Sequence, residues 1–498
     1  MHEVIKAGTP KSLFELFERF KADAPLKRIF QLAFDLGCKT ILLEGDHVDP
    51  EYTSEFKLFY KDLHKKHSDK TERLHFFDTE NLDETNIHNN QESYLGYCVL
   101  RPFTPHRVVN AVIKPYHDKN NPKKTFLICS SKFNVEGLSH IPLHVEGFPF
   151  FQQDGQIGCC SDVALMTTDK FISAKNFSFE NKTIEQISKL TAQVPNEKRD
   201  TPTSGLFTVQ IVHALKEMGY APLIYRYGKN YGECPPERVL YHYLESEIPV
   251  ILGFHAEKNN GHAVTVIGHS FEPDMWKPVV KKHFHKETVQ NYYCSTDWIQ
   301  NFIIQDDRLG PYLLLPKDLI WEQAKENLSI IVPLPKKINM LGEAAELYAY
   351  RMLSDKVILN MINDSKPDGS SKMWHDIFRQ HLEENKLVLR TYLINSNDFK
   401  KSFSLPQLTE IYKNLPMPPK IWLTEISTPE LFCQPRLRIG EVVIDSTASS
   451  KSVKWEHAFL SIHVPGLIVT RDIRKEEAVK NWQPYSVNDD GPCQHLTR

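Results

Sequence analysis

The chain lacks any apolar run of the roughly 18–20 residues that a membrane-crossing helix needs, which argues against a transmembrane span. It also lacks a surplus of charge of one sign. Sixty Lys and Arg face 63 Asp and Glu, a net charge of −3, so no basic field calls for nucleic acid or an anionic membrane. The short runs Lys65-Lys66, Lys123-Lys124 and Lys281-Lys282 are separated and read as solvated faces. No basic-then-apolar leader opens the sequence. Nine scattered cysteines show no CxxC pairing, which leaves neither a disulfide framework nor a thiolate metal site. His283 and His285, in KKHFHKE, have no carboxylate or thiol cluster at ligand spacing and read as a basic loop. Repeats and low-complexity tracts are absent as well. These absences lead to the expectation of a cytoplasmic globular protein with no cofactor, no metal, no nucleic-acid partner and no membrane partner.

What is present is an ordinary globular balance, 41% hydrophobic and 25% charged, over 498 residues, enough for two or three domains. Residues 12–36 carry apolar positions at helical spacing and predict two short helices around Pro25. A strand is expected at 40–44, a helix with a Lys-rich face at 52–67, and a polar loop at 78–92. Strands follow at 94–101, 108–113 and 125–130. Residues 176–199 read as a polar surface excursion, 206–218 as an amphipathic helix closed by Gly219, and 239–246 as another helix. Strands are expected at 250–254, 262–267 and 302–305, with an inserted loop at 270–290. The Pro-punctuated IVPLPKK near 330 predicts a boundary. Beyond it, 343–362 reads as one long helix, and 387–394, 421–426, 441–444 and 458–464 as strands, before a polar frayed tail after 481.

One stretch, residues 148–171, FPFFQQDGQIGCCSDVALMTTDKF, carries reactive chemistry. Two adjacent cysteines, Cys159 and Cys160, open a helix. A thiol on a first helical turn faces unpaired N–H groups and the positive dipole end, which favour thiolate. Cys160 shares a stripe with Val163, Ala164 and Thr167, small residues that suit a buried helix aiming its thiol into a cleft. Cys159 shares a less uniform stripe with Asp162, Val163 and Met166, so Cys160 is favoured and Cys159 kept as the alternative. Both being inert buried thiols is the competing reading. Gln152, Gln153 and Gln156 lie upstream, where an amide can donate to an oxyanion.

A base stands about a hundred residues on. His262, in NNGHAVTVIGHS, starts a strand after small and polar residues, with His269 its bland competitor. A third group is needed to orient the imidazole. Asp306 ends the strand FIIQDD, with Asp307 beside it as the alternative and Asp297 as a fallback. Glu425, Glu441 and Asp445 sit in or beside C-terminal strands, where a second carboxylate site is conceivable but ordinary strand-flanking acids are the simpler reading. Trp298 and Phe302 are expected to pack the core near the site.

The order Gln, Cys-helix, Gly-His strand and Asp at a strand end resembles the papain-like fold, and within it the C39-like cysteine peptidases. In CSDVAL, residues 160–165, the Cys, Ala and Leu of that family's helix are kept but its Gly-Pro is not. Gln153 stands seven residues before Cys160 and six before Cys159, so spacing leaves the register open. GLFTVQIVHALKEMGY is similar to the family's second helix, and EIPVILGF with GHAVTVIGH to its central hairpin. IIQDD resembles the strand that ends in the acidic member. The likeness covers about residues 146–330, and the spacing from His262 to Asp306 is longer than in compact members.

The resemblance implies an α+β fold whose papain-like core has a Cys-bearing helix packed on an antiparallel sheet carrying His and Asp. An N-terminal α/β region at 1–145 and a C-terminal one at 331–498 would flank it. The implied activity is cysteine-dependent hydrolysis of a peptide or isopeptide bond in a peptide or protein substrate. Cys160 would be nucleophile, His262 its partner, Asp306 the orienting acid and Gln153 an oxyanion donor. A scaffold that binds a peptide or protein tail without turnover, and a transamidase or deamidase using the same residues, are the alternatives.

Overall fold

The computed structural model describes residues 2–82, 87–116, 125–136, 142–156, 159–175, 180–194, 206–228, 234–256, 260–275, 281–282, 291–433, 437–450, 455–472, 482–487 and 491–494. Helices and largely antiparallel sheets make it α+β. Two compact units divide the chain. The first comprises Met1–Tyr231, Ile248–Ser270 and Asn301–Leu334; the second comprises Gly232–Glu247, Phe271–Gln300 and Pro335–Arg498.

The first unit contains two sheets. One runs over seven strands from His2–Lys6 at an edge, with Val108–Ile113, Leu143–Phe151 and Ser131–Val135 at the other side. Its apolar face is covered by the helices Pro10–Arg19 and Ala24–Asp35, through Leu16, Leu26, Ile29 and Phe30. The other sheet has the order Gly310–Pro316, Asn301–Asp306, Asn260–Phe271, Val250–Ala256, Leu328–Pro335, Tyr220–Tyr227. Asn260–Phe271 is antiparallel to both neighbours, with Phe254 opposite His262 and Gln305 opposite Thr265. Gly268 faces Leu127 on the strand Thr125–Ile128; a Cβ there would come within 2.1 Å of the Leu127 carbonyl, so only glycine fits. The helix Cys160–Lys175 lies on this sheet, its Val163 and Ala164 in one cluster with Ile251, Ala263 and Ile331.

The second unit is organised on an eight-stranded sheet whose centre is Val388–Asn395, Lys420–Ser427, Gly440–Asp445 and Phe459–Val464, all antiparallel. The short strand Asn291–Cys294 joins it in parallel. Leu408, Tyr412, Leu423, Val443 and Leu460 form its main core.

Several expectations change. The helix expected at 52–67 ends at Leu58, and the Lys65-Lys66 pair lies beyond it. The excursion at 176–199 contains the helix Ile184–Ala192, which buries Ile184, Ile187 and Thr191 on a short amphipathic face. The long helix at 343–362 is two, Gly342–Ser354 and Lys356–Asp364, because Asp355 leaves helical geometry and caps the second through the amides of Val357 and Ile358. The stretch near 330 forms the paired strand Leu328–Pro335, and the first unit gives way to the second within it, between Leu334 and Pro335. The tail after 481 is partly pinned, with Gln483–Ser486 and Cys493–Gln494 both paired. Lys123-Lys124, His283 and His285 lie outside the described residues.

Candidate functional site

The strand Leu143–Phe151 runs straight into the loop that precedes the cysteine helix, and N-terminal residues fasten that loop. Gln152 is committed on both ends of its amide: Oε1 accepts from the Val108 amide at 2.8 Å and Nε2 donates to Asp23 at 2.7 Å. Its carbonyl accepts from the buried Arg101 guanidinium, which also forks onto Glu55 at 2.8 and 2.6 Å. Asp154 accepts from the Tyr60 hydroxyl at 2.8 Å and from the Gln156 amide at 3.1 Å. Gly155 takes φ +76° between them, hard against His106. Gln152 is therefore held by both its oxygen and its nitrogen. Gln153, half-buried, makes no side-chain hydrogen bond among the described residues and keeps its donor available; Gln156 is exposed.

The helix starts at Cys160, with Asp162 reaching back to accept from the Cys159 amide at 3.2 Å, one half of a capping box. The same carboxylate accepts a hydrogen bond from the Cys159 thiol at 3.1 Å. Burial, then the Asp162 charge, push the Cys159 thiol well above the usual thiol range. A thiol held against a carboxylate in a dry place is a poor thiolate. Cys160 turns the other way. With Phe151, Val163, Ala164, Thr167, Ala263, Thr265, Gln305 and Asp307 it lines a small cavity between helix and sheet.

His262, near the start of its strand, directly precedes Ala263 of that lining. Its Nε2 lies 3.0 Å from Asp306 Oδ2. Asp306 is ionised: burial resists this, but the His262 bond and charge and the Arg308 and Leu309 amides hold its carboxyl below the usual range. A carboxylate only accepts, so Nε2 carries the proton. Nδ1 is buried without a hydrogen-bond partner, and the Cys160 thiol is among the groups that act on the ring. Burial opposes the imidazolium, yet Asp306 and Cys160 outweigh it and push His262 up to about 10. The Phe254 ring stands edge-on to the imidazole, with centroids 5.6 Å apart, and limits its rotation. Asp307 comes within 3.9 Å of the same Nε2.

Other candidates fall elsewhere. His269 is buried and donates from Nδ1 to the Ser270 carbonyl. Asp297 sits on the short helix Ser295–Trp298 of the second unit. Trp298 packs there on Phe432, and Phe302 is buried in the sheet that carries His262. His262, Asp306 and Asp307 have ligand atoms within 4.8 Å of one another, a spacing that a divalent ion could bridge, though the His262–Asp306 bond uses the same atoms.

The candidate carboxylates of the second unit, Glu425, Glu441 and Asp445, all have partners. Arg390, Glu425, Glu441 and His463 stand directly opposite one another on four adjacent strands. Arg390 bonds Glu425 at 2.8 Å and Glu245 at 2.9 Å. Arg438 reaches Glu425 at 3.3 Å and Glu441 at 3.8 Å. Tyr392 donates to Glu425, and Tyr412 and His463 bond Glu441. Asp445 shapes a turn by accepting from Thr447. No acid in this row is left open to work as a general acid or base, so the second carboxylate site is not built.

Three contributors escaped sequence reasoning: Tyr60, Arg101 and Asp154, which hold the loop. Asp154 was legible as an acid in a Gly-containing turn; the other two carry no local signal.

No protein-family model and no curated protein matches the chain. Among solved structures it is similar to the peptidase domain of Streptococcus ComA, a bi-functional ABC transporter involved in a quorum-sensing pathway. Identity is 15%, and the match covers 36% of this chain and 95% of that domain, with a TM-score of 0.22. At that score the likeness carries no argument about this chain. No described helix is long and apolar enough to cross a membrane.

Proposed function

We propose that the chain is a cysteine-dependent hydrolase of peptide or isopeptide bonds, with a papain-like, C39-like core in residues 146–330. The observation that carries this reading is the convergence of Cys160, His262 and Asp306 from three separate segments with the right polarity. Asp306 bonds one ring nitrogen and the other stays without a partner, while Cys160 acts on the ring. In this mechanism His262 takes the Cys160 proton on Nδ1 and the thiolate attacks the substrate carbonyl carbon. The tetrahedral oxyanion is met by the Gln153 amide and the Cys160 backbone N–H at the open helix end. Nδ1 then gives its proton to the leaving amine, a thioester remains on Cys160, and water, deprotonated by His262, releases the acid and regenerates the thiol. An amine in place of that water gives transamidation.

One observation favours the second reading, a papain-like scaffold that binds a peptide or protein tail without turnover. Cys160 and His262 are 6% and 7% exposed, so substrate reaches them only if the cleft opens. Alkylation with iodoacetamide from pH 5 to 9, with peptide mapping, divides the two readings. The hydrolase predicts that Cys160 labels far faster than the other thiols below the free-thiol pKa of about 8.5, and that His262→Ala abolishes this. Uniform labelling, indifferent to His262→Ala, would leave the scaffold.

A further inference from the structure

Asp307 is the one member of the site with no visible duty. It is 4% exposed, and neither carboxylate oxygen accepts a hydrogen bond from another residue. A buried carboxylate in that state costs stability, and such an exception calls for a cause. Its neighbour Asp306 already supplies the turn, by accepting from Arg308 and Leu309, and the bond to Nε2. Asp307 instead faces the cavity shared with Cys160, and its Oδ1 stands 3.9 Å from the same Nε2. The charged or titratable groups around it are few: His262 from the adjoining strand, Cys160 from the helix, and Asp306 and Arg308 along its own segment. Gln305, Thr265 and Thr167 complete the lining as neutral polar groups.

We infer that Asp307 is a second carboxylate acting on His262, a positioning residue whose charge strengthens the imidazolium only when its own proton is gone. This deepens the proposed hydrolase reading and rests on the pairing of His262 with Cys160. Burial, with the Asp306 charge adding to it and His262 partly offsetting it, raises the Asp307 carboxyl to about 6. Below that pH it is neutral and His262 has one anion beside it; above, it has two. An added anion 3.9 Å away favours the charged ring. The ion pair with Cys160 thus gains support as pH rises through about 6, where an unaided His would begin to lose its proton.

The test is the titration of His262 itself, followed by NMR of ¹⁵N-histidine-labelled full-length protein. It compares Cys160→Ser with Cys160→Ser/Asp307→Asn, so that the ring is read without the thiol and without turnover. The inference expects Asp307→Asn to lower the His262 pKa by at least about one unit, a tenfold loss of proton affinity, and to erase an inflection near pH 6 in its chemical shift. In the Cys160-containing protein, Asp307→Asn should erase the same inflection from the alkylation rate. Superimposable His262 titrations with and without Asp307 would overturn the inference even if Cys160 proved hyper-reactive. A shifted titration in a protein whose Cys160 labels like any other thiol would keep it and sink the hydrolase reading.

Discussion

Each unit buries a cluster of carboxylates beside basic groups, and the two handle them in opposite ways. In the second unit, Arg390, Glu425, Arg438, Glu441 and His463 form a row in which each carboxylate meets cations and hydroxyls. Glu441 stays ionised in spite of full burial, since His463 and Arg438 hold its carboxyl below the usual range. In the first unit, His262 has two acids for one ring, Asp307 has no hydrogen bond, and Nδ1 has none of full geometry. A cluster whose valences are all filled fixes a structure; one with valences to spare keeps the means to bind or move a proton. The residue types are nearly the same, so the difference lies in the count of partners.

Three substitutions sharpen that contrast. The largest effect is expected from Arg390→Met, which leaves Glu245 and Glu425 facing each other without their shared cation. Breaking such a pair should cost about 3–5 kcal/mol, read as a lowered denaturant midpoint. An unchanged midpoint would erase the distinction between the clusters. Asp307→Asn should act with the opposite sign. The folded-state pKa of about 6 lies above an ordinary Asp near 3.9, so the native carboxylate is penalised once pH exceeds both. The variant should be more stable than wild type by up to about 3 kcal/mol above pH 6, and the gain should vanish below about pH 4. A gain independent of pH would place its cause outside ionisation. Tyr60→Phe should be the mildest. It removes one hydrogen bond from Asp154 and loosens the loop before Cys160, so kcat/KM should fall about tenfold while alkylation of Cys160 is unaltered. Equal losses in both would place Tyr60 in the general packing of the unit.

Much of this was legible in the sequence for a simple reason. The segments that meet at the site each end on a residue with a local signature: Cys160 at a helix start, His262 after NNG, Asp306 at a strand end. Order along the chain therefore picked out the parts that converge in space. Choices between neighbours were not legible. Cys159 and Cys160 separate because Asp162 folds back onto one of them. Gln152 and Gln153 separate because Asp23 and Val108, more than forty residues away, consume the amide of the first. Glu425 and Glu441 looked like candidate acids because cross-strand register, which sets Arg390 and His463 opposite them, leaves no trace in the composition of a single strand. The single helix expected at 343–362 is two for a local reason, since the Asp355 carboxylate caps the second through the amides of Val357 and Ile358.

The chain passes between its two units at 231, 247, 270, 300 and 334, so neither is finished in one continuous length. On the ribosome, His262 emerges before the segment Phe271–Gln300, and Asp306 only after it. Nothing can hold the His262 ring at Nε2 until that segment has been made. The helix Pro236–Glu245, made earlier still, waits some 145 residues for Arg390 to neutralise Glu245. A nascent chain thus carries Cys160 and His262 well before it carries Asp306, the acid that bonds the His262 ring.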